Sequence, residues 1–331
     1  MVWLRLGISA TVIVLAGIKL AQYGDTIAEQ TGLGGMFIGV LLMALGTSLP
    51  EVITAISSIR QAVPNLTAGD LFGSCMYNML LLAVLDMLFR QARILRRVAL
   101  THALTAALAV SLIGLVAFFI LADLDWQIGW IGVDSLIVIA VYVGGLRLIH
   151  LEARRTGLVS GQAEPIERVP LRGLWRPLLG FAVATAAMVV AVPHMVSSSV
   201  EIAEITGLGA GFVGIILVAM ITSLPELVSA IAAVRLGAFD LAVGNLFGSN
   251  VFNMFALAFV DGFYAHGRLL ATIDPAFALA GLVALLLTSL GLIGNLARLE
   301  RRILFVELDA LLLIVGYFAG LWFLYTRGIG H

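Results

Sequence analysis

Two Thr-Ser-Leu-Pro-Glu strings stand 175 positions apart, at Thr47–Glu51 and Thr222–Glu226, each set inside an apolar stretch. Each is followed at the same distance by Leu-Phe-Gly-Ser, three residues and an Asn: Leu71–Ser74 with Asn78, and Leu246–Ser249 with Asn253. Ile27–Asp86 aligns on Ile202–Asp261 without a gap, and 30 of the 60 positions are identical. Random apolar sequence matches Leu with Leu; it does not match carboxylates in identical settings. A charged group in hydrocarbon costs several kcal/mol, so an intramembrane carboxylate marks a functional site by default. Two of them in a duplicated motif predict a cation site at the interface between two repeats.

The membrane setting follows from composition: 61% of residues are hydrophobic, 12% are charged and the mean hydropathy is +1.08. Cys75 is the single cysteine, which excludes an internal disulfide framework or a thiolate metal cluster. The histidines at 102, 150, 194, 266 and 331 stand singly, without zinc-type spacing. No phosphate loop, nucleophile elbow or basic nucleic-acid patch is present in the sequence. The reading is therefore a non-enzyme without a cofactor, partnered by the lipid bilayer, with no nucleic acid and no obligate protein partner evident.

Crossing the hydrocarbon core takes about 20 apolar residues. By that measure ten spans are expected near 3–22, 33–58, 66–88, 98–122, 126–148, 177–199, 208–233, 240–262, 271–294 and 303–326. The first is read as a retained span rather than a signal peptide, because no small-residue cleavage site follows it and Lys19 interrupts its end. Arg90, Arg93, Arg96 and Arg97 follow the third span, Arg147, Arg154, Arg155, Arg168, Arg172 and Arg176 surround the connection after the fifth, and Arg235, Arg298, Arg301 and Arg302 follow the seventh and ninth. In a ten-span arrangement these all lie on one side, and the other side keeps only Arg5, Arg60, Arg268 and Arg327. The positive-inside rule then places both termini outside a cell membrane and the 150–176 connection in the cytoplasm.

The repeat extends further, since Asp134 maps to Asp309, Tyr142 to Tyr317 and Gly145 to Gly320 at the same offset of 175. Five spans thus repeat as five, and an odd number of crossings forces the second unit into the membrane upside down. The expected fold is an all-α integral membrane protein of ten transmembrane helices, built as two inverted-topology five-helix repeats. Residues 1–149 form the first repeat, 150–176 a polar linker and 177–331 the second repeat.

At helical spacing Thr47 and Glu51 share a face, and Ser48 lies one turn from Glu51. Pro50 has no amide hydrogen and clashes with the carbonyl of Gly46, so the helix should kink or open there, freeing carbonyls as candidate ligands. Thr222, Ser223, Pro225 and Glu226 repeat the pattern with Ile221 in place of the glycine. Asp70, Ser74 and Asn78 fall on one face of the partner span, as do Asn245, Ser249 and Asn253 in the second copy. Gly69, Gly73, Gly244 and Gly248 should let these helices approach their neighbours closely. Carboxylate, hydroxyl, amide and carbonyl oxygens form an all-oxygen set that suits hard cations such as Ca²⁺ and Na⁺, not copper or zinc. Asp70 lies about 12 Å along the axis from Asn78, too far to share one ion with it, and is expected nearer the outer mouth, in the cation pathway or hydrogen-bonded to a neighbouring helix. Asp134, Glu307 and Asp309 read as structural pairs, Asp86 and Asp261 as solvated span ends, and Cys75 as packing.

These motifs resemble those of the sodium/calcium exchangers of the cation/calcium exchanger superfamily, especially its small prokaryotic members. The hallmarks stand here as Gly46-Thr47-Ser48-Leu49-Pro50-Glu51 with Gly69-Asp70-Leu71-Phe72-Gly73-Ser74-Cys75-Met76-Tyr77-Asn78. The second copy is Ile221-Thr222-Ser223-Leu224-Pro225-Glu226 with Gly244-Asn245-Leu246-Phe247-Gly248-Ser249-Asn250-Val251-Phe252-Asn253. The resemblance implies that Glu51 and Glu226 bind Ca²⁺ and also serve Na⁺. It implies too that oxygens of Thr47, Thr222, Ser48, Ser223, Ser74, Ser249, Asn78 and Asn253 complete the sites. Asp70 stands where the family pattern has Asn, adding a possible third acid, and Asn253 where some relatives, including potassium-dependent ones, carry Asp.

The expected function is secondary active exchange of Ca²⁺ for Na⁺ by alternating access at a midplane site. With both glutamates ionised, an empty site would carry about two negative charges across the barrier, at several kcal/mol per ion, so it should move rarely. Loaded with cations it can switch sides, which makes antiport obligatory. Exchange against H⁺, potassium-dependent exchange and, more remotely, a cation channel are the alternatives. In a background lacking Cys75, cysteines introduced near Gly161 should be labelled only from the cytoplasm and those near His331 only from outside; labelling of both from one face contradicts the inverted arrangement.

Overall fold

A computed structural model of the protein describes residues 1–31, 46–89, 100–155, 174–297, 302–303 and 306–329. Its elements are helices α1 (Val2–Thr31), α2 (Leu49–Arg60), α3 (Pro64–Leu88), α4 (Leu100–Ala122) and α5 (Val133–Arg155), then α6 (Trp175–Thr206) and α7 (Ala210–Val213). A π-helical turn at Gly214–Val218 leads into α8 (Ala219–Thr222), α9 (Leu224–Arg235), α10 (Phe239–Val260), α11 (Leu269–Thr272), α12 (Phe277–Ala297) and α13 (Leu308–Leu324). Among the described residues eight helices are long and apolar enough to cross a membrane, and the bent run through α7, α8 and α9 makes a ninth. The first half of the expected span at 33–58 lies outside the described residues, which resume at Gly46.

Helix boundaries recur at the offset found in the sequence. Helix α2 begins and ends 175 residues before α9, and α3 begins 175 residues before α10. Two short antiparallel ribbons obey the same rule: Gln127–Ile128 with Ile131–Gly132, and Arg302–Ile303 with Val306–Glu307. They correct the expected starts of the fifth and tenth spans at 126 and 303. Each ribbon takes up six residues, so α5 and α13 begin at Val133 and Leu308. The apolar residues that made these stretches look membrane-spanning, Trp126, Ile128 and Trp130, stand exposed around the first ribbon. The sixth span is longer than its expected 177–199, running over 32 residues as α6.

Helices α1 and α6 pack along one another and share an apolar cluster including Ile13, Leu20, Met188, Val192 and Met195. A second, larger core surrounds the repeat-related Phe72 and Phe247, both fully buried. Within it α3 packs against α10, α12 and α13 and against the broken seventh helix. That last contact is backbone on backbone. A Cβ at Gly69 would overlap the carbonyl of Gly211, and one at Gly73 would come within 2.7 Å of the Ile215 carbonyl oxygen. The close approach read from Gly69 and Gly73 is therefore present, as small-residue interfaces permit. The proline kink is present too: α8 and α9 meet at Ser223 with a bend of 41°, because Pro225 has no hydrogen to return to the preceding turn.

Because neither backbone at the Gly69 contact can retreat, Gly69→Ala should lower the detergent melting temperature and the yield of monodisperse protein. Gly7→Ala and Gly144→Ala, where a new Cβ meets nothing within 4 Å, should change neither. Equal behaviour of the three variants in a thermal unfolding assay would show the contact to be looser than drawn.

Candidate cation site

The two Pro-Glu motifs reach each other through side chains, and two kinds of contact recur with the halves exchanged. Ser48 Oγ donates to Glu226 Oε1 at 3.0 Å, and Ser223 Oγ to Glu51 Oε1 at 3.3 Å. Thr222 Oγ1 donates to Asp70 Oδ1 at 3.1 Å, and Thr47 Oγ1 to Asn245 Oδ1 at 3.4 Å. Each glutamate accepts a hydrogen bond from the serine of the opposite motif. This crosswise pairing follows from the breaks at Ser48 and Ser223, whose backbones (φ −92°, ψ 11° and φ −88°, ψ 7°) leave the preceding helix and start α2 and α9. The break sets the hydroxyl and carboxylate of each motif against the opposite one.

Two flanking serines complete the ring: Ser249 Oγ donates to Glu226 Oε1 at 3.4 Å, and Ser74 Oγ lies 3.5 Å from Thr222 Oγ1. Asn78 and Asn253 stand one turn further along α3 and α10. Asn78 Nδ2 donates to Asn250 Oδ1 at 2.9 Å, and Asn253 Nδ2 contacts Cys75 Sγ at 3.9 Å. Glu51, Glu226, Thr47, Thr222, Ser48, Ser223, Ser74, Ser249, Asn78, Asn253 and Asp70 are all fully buried. Among the described residues, Glu51 Oε2, Glu226 Oε2, Asp70 Oδ2, Asn78 Oδ1 and Asn253 Oδ1 are buried with no hydrogen-bond partner. Against these five acceptors, the same motif residues leave one buried donor without a partner, Asn245 Nδ2. A surplus of hard oxygen acceptors is what a Ca²⁺- or Na⁺-sized cation requires.

Asp70 departs from its expected place and keeps the expected hydrogen bond. It lies at no mouth: it is fully buried and joined to Thr222 of the opposite motif. Position along α3 alone misleads because the seventh helix crosses over it. The Gly211 carbonyl lies against Gly69, and a Cβ at Gly214 would sit 2.9 Å from the Leu66 carbonyl oxygen and 3.1 Å from the Asp70 amide nitrogen. Asp86 and Asp261 are also buried rather than solvated. Asp261 receives the N–H groups of Gly132 at 2.8 Å and Leu269 at 2.6 Å, tying the first ribbon to the start of α11. Asp134 is structural, as read: it faces Arg268 at 3.8 Å, and Arg268 also pairs with Asp123 at 2.9 Å. At the repeat-related place in the other half, oxygens of Asp86, Glu307 and Asp309 lie within 4.8 Å of one another.

Two polar residues in this centre escaped the sequence reading. Asn250 was visible only as part of a motif string. Thr288, on α12, sits in an apolar run with no repeat-related hydroxyl to single it out, yet its Oγ1 lies 3.3 Å from Asn250 Nδ2.

Comparison with known proteins agrees with this geometry. The profile described as "Sodium/calcium exchanger protein" matches residues 1–149 and 176–326. The sodium/calcium exchanger MaX1 of Methanosarcina acetivorans is 27% identical over 338 aligned positions, covering 88% of this chain and 92% of the relative. The inner membrane protein YrbG of Escherichia coli is 28% identical over 276 positions, covering 80% and 82%. Among solved structures, the sodium-calcium exchanger NCX_Mj superposes with a TM-score of 0.63 at 20% identity, over 97% of this chain and 99% of that one, a likeness of fold. The chain therefore belongs to the sodium/calcium exchanger family, as a prokaryotic-type, multi-pass α-helical membrane transporter for cations and not an enzyme.

Proposed function

We propose that the protein exchanges Ca²⁺ for Na⁺ by alternating access, with Glu51 and Glu226 as charged ligands. Thr47, Thr222, Ser48, Ser223, Ser74, Ser249, Asn78, Asn253 and Asp70 supply further oxygens. The observation that carries this reading is the surplus of buried acceptors: among the described residues, five oxygens with no donor, three of them on carboxylates. An ionised carboxylate moved into a medium like a protein interior costs of order 20 kcal/mol by an idealised Born treatment, and several kcal/mol in practice. Among the described residues no Lys or Arg pairs with these acids. The transported cation is then the counter-charge, and the loaded site is the form that crosses.

The architecture we infer is ten helices in two inverted repeats, 1–149 and 177–331, joined by a cytoplasmic linker at 150–176, with both termini outside a cell membrane. Contacts at the helix ends support it. Arg5–Glu201 joins the start of α1 to the end of α6, Trp130–Gly262 joins the α4–α5 connection to the end of α10, and His102–Asp240 joins the starts of α4 and α10. Each links ends that ten alternating crossings put on one face.

In proteoliposomes loaded with Na⁺, an outward Na⁺ gradient should drive saturable uptake of calcium-45, while K⁺ or proton gradients of equal size should not. Glu51→Gln and Glu226→Gln should each cut that uptake by about a hundredfold, in line with the roughly 3 kcal/mol lost when a buried charged contact is truncated. Uptake that proceeds equally without a counter-ion, or near-normal exchange by either variant, overturns the reading.

Asp70→Asn keeps an acceptor for the Thr222 hydroxyl and removes one of three buried carboxylates. In cation-free detergent it should therefore melt at a higher temperature than the parent protein, and gain less stability on adding Ca²⁺. A lower melting temperature without cation would make Asp70 a structural acid.

A further inference from the structure

Asn78 and Asn253 can offer a cation their carbonyl oxygens only if each amide is turned with its NH₂ group away from the ion. Hydrogen bonds fix that choice, and in one half the relay starts from a backbone carbonyl, which can only accept. Asn250 Nδ2 lies 3.3 Å from the Cys75 carbonyl oxygen and 3.3 Å from Thr288 Oγ1. The Thr288 hydroxyl gives its hydrogen to the Ala284 carbonyl at 2.7 Å, so toward Asn250 it too is an acceptor. Asn250 must point its NH₂ at these two groups and its Oδ1 the other way. That oxygen lies 2.9 Å from Asn78 Nδ2, so Asn78 must present its own NH₂ there. Its Oδ1 is left over, buried and without a donor.

The other half lacks this device. At the offset of 175, Cys75 stands in place of Asn250 and the buried Ile113 in place of Thr288. Among the described residues Asn253 Nδ2 finds only the Cys75 sulfur, a weak acceptor, at 3.9 Å. The thiol in turn lies 3.9 Å from the Asn250 carbonyl oxygen. Asn253 Oδ1 is again buried without a donor, but its orientation is held by one long contact instead of a relay.

We propose that Thr288 and Asn250 are positioning residues that fix the carbonyl oxygen of Asn78 toward the transported cation, and that Cys75 gives Asn253 a looser counterpart. The site then has one stiff and one compliant amide ligand. Stiffness belongs to the half in which Thr288 and Asn250 occur together; both are replaced, as a pair, in the other. The proposal rests on the reading of Asn78 and Asn253 as cation ligands. Neither Asn250 nor Thr288 touches the ion in this arrangement.

The test measures KM for Ca²⁺ and maximal exchange rate in proteoliposomes. Asn250→Leu should raise KM about tenfold, and more than it lowers the maximal rate. Thr288→Val keeps the side-chain shape, guards against a folding defect in the first variant, and should raise KM about threefold; Thr288→Ser should restore it. Asn78→Ala added to Asn250→Leu should cost little more than the larger single effect, because both act through one oxygen. Cys75→Ala should change KM by less than about twofold. Unchanged KM in Asn250→Leu and Thr288→Val, or additive losses in the double variant, overturns the relay while an inactive Glu51→Gln still upholds the site. Active Glu51→Gln overturns the site itself. A Cys75→Ala effect as large as that of Asn250→Leu removes the asymmetry.

Discussion

Negative charge buried without a matching cationic side chain sets the terms for the rest of this molecule. At the ribbon end of the bundle the chain handles a buried acid in the ordinary way, bringing Arg268 to Asp134 and two backbone N–H groups to Asp261. In the centre it does not. Glu51 and Glu226 receive hydroxyl hydrogens from Ser48, Ser223 and Ser249, which meet one oxygen of each and leave the other bare. A hydroxyl donates one hydrogen and no net charge, so it orients a carboxylate without neutralising it. The contrast separates acids that build the fold from those we propose as cation ligands.

Bringing oxygens from both halves to one point requires the helices carrying them to come nearer than side chains normally allow. Gly69 and Gly73 against Gly211 and Ile215 meet that requirement on one side of the centre, where backbone touches backbone. The seventh helix meets it differently, by loosening into a π turn at Gly214–Val218 and bending at Ser223. Such departures from regular helix are tolerated at membrane depth where they are buried in protein or line a cavity. They place the Thr222 hydroxyl over Asp70 and bury an acid that lies only six residues inside α3.

Much of this was legible in the sequence, because repetition and hydropathy are properties of the string itself. The paired Pro-Glu motifs announced the centre, the proline announced the bend, and Gly69 and Gly73 announced the close crossing. What stayed hidden depends on neighbours distant in sequence. Trp126, Ile128 and Trp130 looked like membrane-spanning residues because a turn of ribbon and a turn of helix can share one hydropathy. Asp70 looked peripheral because depth was judged along its own helix, and the chain that covers it begins some 140 residues later. Thr288 carried no signal, since one hydroxyl in an apolar run gains meaning only through the amide it touches.

The exchanged contacts bear on how such a chain tolerates change. Ser48 serves Glu226 and Ser223 serves Glu51, so two nearly identical motifs do not amount to two copies of one function. A lesion in either motif strips a partner from the other, and the intact copy offers no cover. Here duplication has yielded mutual dependence instead of spare capacity. Where the halves do differ in this centre, at 70 and 245, Asp70 and Asn245 each still accept from the threonine of the opposite motif.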